Sequence, residues 1–158
     1  MIYIGIGSNL GNRIENITKA KYFLDLNGIN ITKSSSYYET LSWPDPNKPK
    51  FINIVVQSNT KASPEKLLKI FKSIEKKLGR KKKSKNSPRT CDIDIISYNK
   101  KILTGNITIP HKRMHIRNFV LIPLFELNKN WFHPKTNENI KKLIFSLSIK
   151  DIRSIKQI

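Results

Sequence analysis

The spacing of apolar residues switches between strand and helix periods along the chain, and the switches mark out its elements. Residues 2–6, Ile-Tyr-Ile-Gly-Ile, are an apolar run of strand length. A turn-rich segment, Gly7-Ser8-Asn9-Leu10-Gly11-Asn12, follows it. Residues 13–26 then predict a helix with an imperfect apolar face of Ile14, Ile17, Tyr22, Leu24 and Leu26, ended by Asn27-Gly28. Residues 30–39 return as a strand. Residues 41–50 hold three prolines, which excludes regular structure and predicts a long surface loop. Residues 51–56 resume a strong strand. Ser63 suits an N-cap and Pro64 the first helical position, and Leu67, Leu68, Phe71, Ile74 and Leu78 carry that helix to Gly79. A basic polar loop over 80–87 leads into an apolar strand over 91–98 that contains two acids. Residues 107–109 predict a short strand, 113–127 a helix interrupted near Pro123, and 140–147 a final helix before a short tail.

This β-α-β-β-α-β order predicts an α+β fold: a ferredoxin-like core with a mainly antiparallel sheet, helices packed on it, and additional C-terminal elements. At 158 residues, 38% of them hydrophobic, the chain is expected to form a single domain over residues 1–158. The formal charge of +19 invites a nucleic-acid reading. The excess is mostly lysine, scattered as well as clustered and accompanied by abundant Asn and Ile, a pattern expected of an A- and T-rich coding sequence. A dedicated nucleic-acid role is therefore not expected, although the basic field would help to collect a polyanion. The single cysteine, Cys91, excludes a disulfide framework and reads as a small buried apolar group. The opening apolar run is too short for a signal peptide and no segment approaches a membrane span, so a cytoplasmic location is expected.

The candidate chemistry lies in Pro88-Arg89-Thr90-Cys91-Asp92-Ile93-Asp94-Ile95-Ile96. Strand alternation puts Asp92 and Asp94 on one face and Cys91, Ile93 and Ile95 on the other. Two neighbouring acids that are removed from water cost several kcal/mol, in order of magnitude, unless positive charge accompanies them. Either a hard divalent cation such as Mg2+ or some of the many lysines can supply that charge. Arg89 is suited to phosphate, and acids, arginine and basic loop together suggest phosphoryl transfer. His111 and Arg117 either extend this clamp or are ordinary surface groups. Asn53, the odd polar residue of its strand, shares a face with Phe51. That pair suits a flat heterocycle, stacked by one group and read by the other, or else Asn53 simply bonds backbone at an edge. Gly5-x-Gly7-x-x-x-Gly11 misses the dinucleotide-fingerprint spacing and no G-x-x-x-x-G-K-[ST] loop is present, so these glycines are expected to permit a tight turn and close backbone packing.

Taken together, Gly7-Ser8-Asn9-Leu10-Gly11, Tyr38-x-Thr40, Phe51-x-Asn53, Glu75 with Gly79-Arg80, Pro88-Arg89-Thr90-x-Asp92-Ile93-Asp94, and Pro110-His111 with Arg117-x-Phe119 resemble, in order and approximate spacing, the 6-hydroxymethyl-7,8-dihydropterin pyrophosphokinase family. The resemblance covers nearly the whole chain. It implies transfer of the terminal diphosphate of ATP to the hydroxymethyl group of the pterin, with release of AMP, in folate biosynthesis. By the same resemblance Asp92 and Asp94 hold two Mg2+ ions, and Arg80, Lys82 and Arg89 join them as catalytic groups. Phe51 and Phe119 sandwich the pterin, while Asn53 and the segment Thr40, Leu41 and Ser42 read its edges. Lys72, Glu75, Arg80, Lys82, Arg89, Ile95, Thr108, His111, Lys112 and Arg117 form the nucleotide side. ATP and the pterin are then the partners of an expected monomer, without nucleic acid or membrane.

The chain departs from that pattern in places. Ser87 stands where Gly or Ala commonly precedes the Pro-Arg pair, Asn86 falls near the position of an aromatic lid residue, and Lys112 replaces an aromatic beside His111. Phe51 replaces a frequent Tyr, and Leu41-Ser42 lacks the proline pair common in some relatives. Two other function classes compete. A basic RNA-binding module lacks the aromatic-rich strands it would need, and metal-dependent phosphodiester hydrolysis leaves Phe51 and Asn53 without a role. No residue stands out as a general base.

Overall fold

In the computed structural model, residues 1–81 and 86–158 are described. Within them an antiparallel sheet is built around β1 (Ile2–Ser8), which pairs with β4 (Phe51–Asn59) on one side and β5 (Asp92–Tyr98) on the other. Beyond β4 lie β2 (Asn30–Ser34) and β3 (Tyr38–Thr40), both paired with it, and β6 (Lys156–Gln157) adds to β3. The expected βαββαβ order and mainly antiparallel sheet are present, with helices packed on both faces.

Strand alternation decides what each face receives. Ile4, Ile6, Ile54, Val56 and Ile93 point to one face and bury Ile17 and Leu24 of α1 (Arg13–Leu26) and Leu67 and Phe71 of α2 (Pro64–Lys77). Asn12 caps α1 by accepting the Glu15 N–H at 3.1 Å, and Ser63 caps α2 by accepting that of Lys66 at 3.3 Å. These are the caps that short polar side chains provide at helix starts. On the other face Tyr3, Val55 and Ile96 meet Leu121 and Leu124 of α3 (Asn118–Leu127), Met114 of a 3-10 turn (Met114–Ile116), and Leu143 of α4 (Ile140–Phe145). This second core does not extend to the β1 positions 5 and 7.

Several boundaries differ from expectation for identifiable reasons. The strand expected over 30–39 is two strands. Between them Ser35 exchanges backbone and side-chain bonds with Val55, and Ser36 binds Glu126 of α3 through its N–H and hydroxyl. On α1 the expected face holds only in part: Ile14, Tyr22 and Leu26 are 44%, 60% and 62% exposed, and Ala20 takes the buried position between Ile17 and Leu24. Residues 107–109 form a single bridge, Leu103 with Ile109, instead of a strand. The helical stretch breaks at Arg117, between the 3-10 turn and α3, and Pro123 lies buried inside α3, where packing outweighs its missing N–H. The final helix stops at Phe145. The expected tail is α5 (Ile149–Ser154), capped by Ser148, followed by β6.

Candidate active site

The register of three strands assembles the site floor. Gly7 lies opposite Asn53 on β4 and Asp92 on β5, while Gly5 lies opposite Val55 and Asp94. Neither glycine makes a turn; both are strand residues whose missing side chains leave space. A Cβ at position 7 would stand 2.6 Å from Asn53 Oδ1, and one at position 5 would stand 3.2 Å from Ile96 Cδ1. The tight backbone belongs to Gly11 instead, with φ +70. Above this floor opens a cavity of about 440 Å³. Asp92 and Asp94 form one wall, and Phe51, Asn53, Thr40 and Phe119 another.

The acidic wall is surrounded by cations. Arg80 Nη1 lies 2.8 Å from Asp92 Oδ1 and 2.6 Å from Glu75 Oε1, and Arg89 Nε lies 3.5 Å from Asp92 Oδ2. Glu75 also accepts the Ile93 N–H at 2.9 Å, so one carboxylate fixes both Arg80 and the start of β5. Asp94 has looser neighbours, Arg117 Nη1 at 4.0 Å and His111 Nε2 at 3.8 Å. Its open surface faces the cavity. Enclosure, and next the charge of Asp92, raise its pKa to about 6. Burial, and next the charges of Arg117 and Arg113, push His111 down to about 4, so its imidazole is neutral at pH 7 and accepts the Arg113 N–H at Nδ1. Cys91 on the opposite face is fully buried and pushed up to about 12, chiefly by burial, which rules out a thiolate nucleophile. Among the described residues the buried Nε groups of Arg89 and Arg117 make no hydrogen bond, Arg89 Nε keeping only its 3.5 Å ion pair with Asp92. Both arginines also line the cavity, where their guanidiniums suit an anion.

The other wall is aromatic and amide. Asn53, 8% exposed, donates to Thr40 Oγ1 at 3.0 Å, which fixes the amide beside Phe51. The Arg89 guanidinium carbon lies 5.6 Å from the Phe51 ring centre, and that of Arg117 lies 5.3 Å from Phe119. One buried residue ties the two loops of the rim together. Asn9 accepts the Arg89 N–H at 2.8 Å and donates to Pro49 O at 3.0 Å and Ser42 Oγ at 3.3 Å.

Residues 3–129 match the family model described as 7,8-dihydro-6-hydroxymethylpterin-pyrophosphokinase (HPPK). The chain belongs to the HPPK family. It is 37% identical over 142 residues to the 2-amino-4-hydroxy-6-hydroxymethyldihydropteridine pyrophosphokinase of Aquifex aeolicus, covering 89% of this chain and 88% of that one. It is also 37% identical to the folic acid synthesis protein fol1 of Pneumocystis carinii over 98% of this chain, but spans only 21% of that longer protein. A solved HPPK-DHPS in complex with substrates shares the fold, with a TM-score of 0.75 at 15% identity over 99% of this chain and 46% of the solved one. The wild-type Plasmodium falciparum HPPK-DHPS gives a TM-score of 0.72 at 16% identity, again over 99% of this chain and 47% of that one.

Against the HPPK pattern, the structure brings Arg80, Arg89, Asp92, Asp94, His111, Arg117, Thr40, Leu41, Phe51, Asn53 and Phe119 to the cavity lining. Ser42 and Glu75 stand behind it, bonding Asn9 and Arg80 respectively. The Ile95 side chain is buried in the core on the opposite face, leaving only its backbone for a ligand, and Ile96 lines the cavity in its place. Lys72, Thr108 and Lys112 do not line the cavity. Lys82 lies outside the described residues. Sequence reasoning assigned no role to Asn9, Trp43 or Arg113. The signal for Asn9 was its place inside Gly7-Ser8-Asn9-Leu10-Gly11, while its burial between two loops is decided by the fold. Trp43 and Arg113 carried no spacing signal, because only the fold brings them together.

Proposed function

We propose that this chain transfers the terminal diphosphate of ATP to the hydroxymethyl group of 6-hydroxymethyl-7,8-dihydropterin and releases AMP. The observation that carries the reading is the meeting, in one cavity, of Asp92 and Asp94 with the Arg89 and Arg117 guanidiniums on one side and the Phe51–Asn53–Phe119 wall on the other. The pterin lies between Phe51 and Phe119, and Asn53, held by Thr40, reads its edge. Arg89 and Arg117 hold triphosphate oxygens, and Arg80 keeps Asp92 in place. With the substrates so aligned, the hydroxymethyl oxygen bonds to the β-phosphorus. The bond from that phosphorus to the oxygen bridging the α-phosphate breaks, AMP departs and the hydroxyl proton is released.

The residues fit Mg2+. Asp92 and Asp94 are hard oxygen donors on one strand face, and the pKa of Asp94, raised first by burial and next by the charge of Asp92, is what a bound cation would bring back down. Among the described residues no group of three or more His, Cys, Asp or Glu forms an all-protein cage, which suits an ion that takes its other ligands from phosphates and water. When bound, two Mg2+ ions at Asp92 and Asp94 supply positive charge to the triphosphate and lower the pKa of the attacking hydroxyl. No described helix is long and apolar enough to cross a membrane. We place the protein in the cytoplasm as a monomer of a single domain.

The test is nucleotide product analysis. ATP with the reduced hydroxymethylpterin and Mg2+ should yield AMP in step with pterin consumption, and no AMP without either pterin or Mg2+. ADP as the stoichiometric product would overturn the reading.

A further inference from the structure

The mouth of the cavity holds one arrangement that the family's motif residues leave unexplained. Trp43, in the proline-rich loop after β3, lines the cavity and is 47% exposed. The guanidinium carbon of Arg113 lies 4.8 Å from its ring centre and that of Arg117 lies 5.8 Å away. Arg117 continues inward to the Phe119 ring and Asp94, so the indole sits at the head of a line of side chains reaching the acidic wall. Across the mouth, the position near which the family often carries an aromatic lid residue is Asn86, whose backbone carbonyl accepts from Lys48 Nζ at 3.0 Å. On the described rim, the aromatic side chain therefore comes from the loop of Trp43.

Arg113 is the less expected partner. Among the described residues it forms no ion pair, unlike Arg80, Arg89 and Arg117, although it lines the same cavity. It adds a cation beside Arg117 and His111, whose pKa values are lowered first by burial and further by its charge. Two like-charged guanidiniums lie close to one indole ring, where cation–π attraction partly offsets their repulsion. Such a cluster is complete once a polyanion enters. We propose that Arg113 is an additional nucleotide-binding residue of this chain and that Trp43 is a positioning residue, its indole holding the Arg113 and Arg117 guanidiniums at the mouth where the triphosphate enters. This rests on the pyrophosphokinase reading above and adds to it a contact between the pterin-side loop and the phosphates.

The experiment is steady-state kinetics of AMP release for Arg113→Gln, Trp43→Phe, Trp43→Leu and the double variant Trp43→Leu/Arg113→Gln. Arg113→Gln should raise KM for ATP about tenfold, the size of one charge-assisted contact, with kcat and KM for the pterin within about twofold. Trp43→Leu should give a similar rise, whereas Trp43→Phe, which keeps a π face, should stay near wild type. The double variant should raise KM for ATP by less than the product of the two single effects, because the part of the Trp43 contribution that acts through Arg113 is already gone. An unchanged KM for ATP in Arg113→Gln, equal behaviour of Trp43→Phe and Trp43→Leu, or multiplied effects in the double variant would each overturn the proposal. A wild-type protein that makes no AMP would instead sink the underlying reading. That result is separable by titrating the Mg2+ complex of a non-hydrolysable ATP analogue into wild type and Arg113→Gln. The calorimetric Kd should still rise about tenfold in the variant, and equal affinities would overturn the proposal on that route as well.

Discussion

Gly7 and Asn53 face each other across β1 and β4 so closely that a Cβ on residue 7 would stand 2.6 Å from Asn53 Oδ1 and 3.4 Å from Phe51. The glycine is thus the space that the amide occupies. Gly7→Ala should drive Asn53 off Thr40 and spoil the flat slot beside Phe51, while the sheet around it persists. The expected result is a rise in Kd for the pterin of roughly ten- to a hundredfold, the size of a lost buried hydrogen bond with some misplacement. Nucleotide affinity should stay close to wild type. Calorimetric titration of each ligand checks this, and equal losses for both would mean that the sheet itself had given way.

Asp94 should trade stability for function. Its carboxyl is raised to about 6 in the folded, metal-free protein, against about 3.9 in an unfolded chain. Between those values the folded state holds more protons than the unfolded state, so this group's contribution to stability falls as pH rises through about 6. Asp94→Asn should therefore raise the Tm of metal-free protein at pH 8 and leave it nearly unchanged at pH 4. The same variant should lose at least about a hundredfold in turnover. Thermal melts across that pH range in a chelator decide the point; a gain at pH 4 that vanishes at pH 8 would reverse the sign argued here.

Arg80 is held between Glu75 at 2.6 Å and Asp92 at 2.8 Å. Removing it with Arg80→Ala leaves Glu75, whose side chain is 12% exposed, without its cation. A loss of about 1–3 kcal/mol in unfolding free energy is expected. Adding Glu75→Gln should recover part of that stability without recovering turnover, since Asp92 keeps only its longer contact with Arg89. Chemical denaturation of the single and double variants measures the first effect and AMP release the second.

Asn9 is 3% exposed and makes three side-chain bonds that join the 86–90 segment to the loop before β4. Asn9→Ala should cost roughly 2–3 kcal/mol through the buried groups left unpaired. Because Arg89 hangs from that tie, turnover should fall at temperatures where the variant remains folded. Wild-type kcat in the folded variant would show that Arg89 is positioned without it.

The strands and two main helices were legible because each carries its period and its stop signals locally. Asn27-Gly28 ends α1 and Ser63-Pro64 starts α2, each next to a periodic apolar face that identifies the helix. The split of 30–39 was hidden because its cause is remote: Glu126, some ninety residues later, claims the N–H and hydroxyl of Ser36. On α1, Tyr22 and Leu26 misled because a short apolar face can be satisfied by Ala20, whose small side chain gives a weak periodic signal.

The site divides in the same way. Asp92 and Asp94 on one face, with Cys91 and Ile93 on the other, follow from strand alternation, which is fixed by covalent geometry and needs no partner. Sequence therefore determined the core elements, the acidic face and, through its ordered motifs, the family. Tertiary structure decided that Gly5 and Gly7 are floor and not turn, that Ile96 and not Ile95 lines the cavity, and that Trp43 meets Arg113. Each of these depends on register between strands or on the docking of distant loops, quantities that chain spacing alone leaves free.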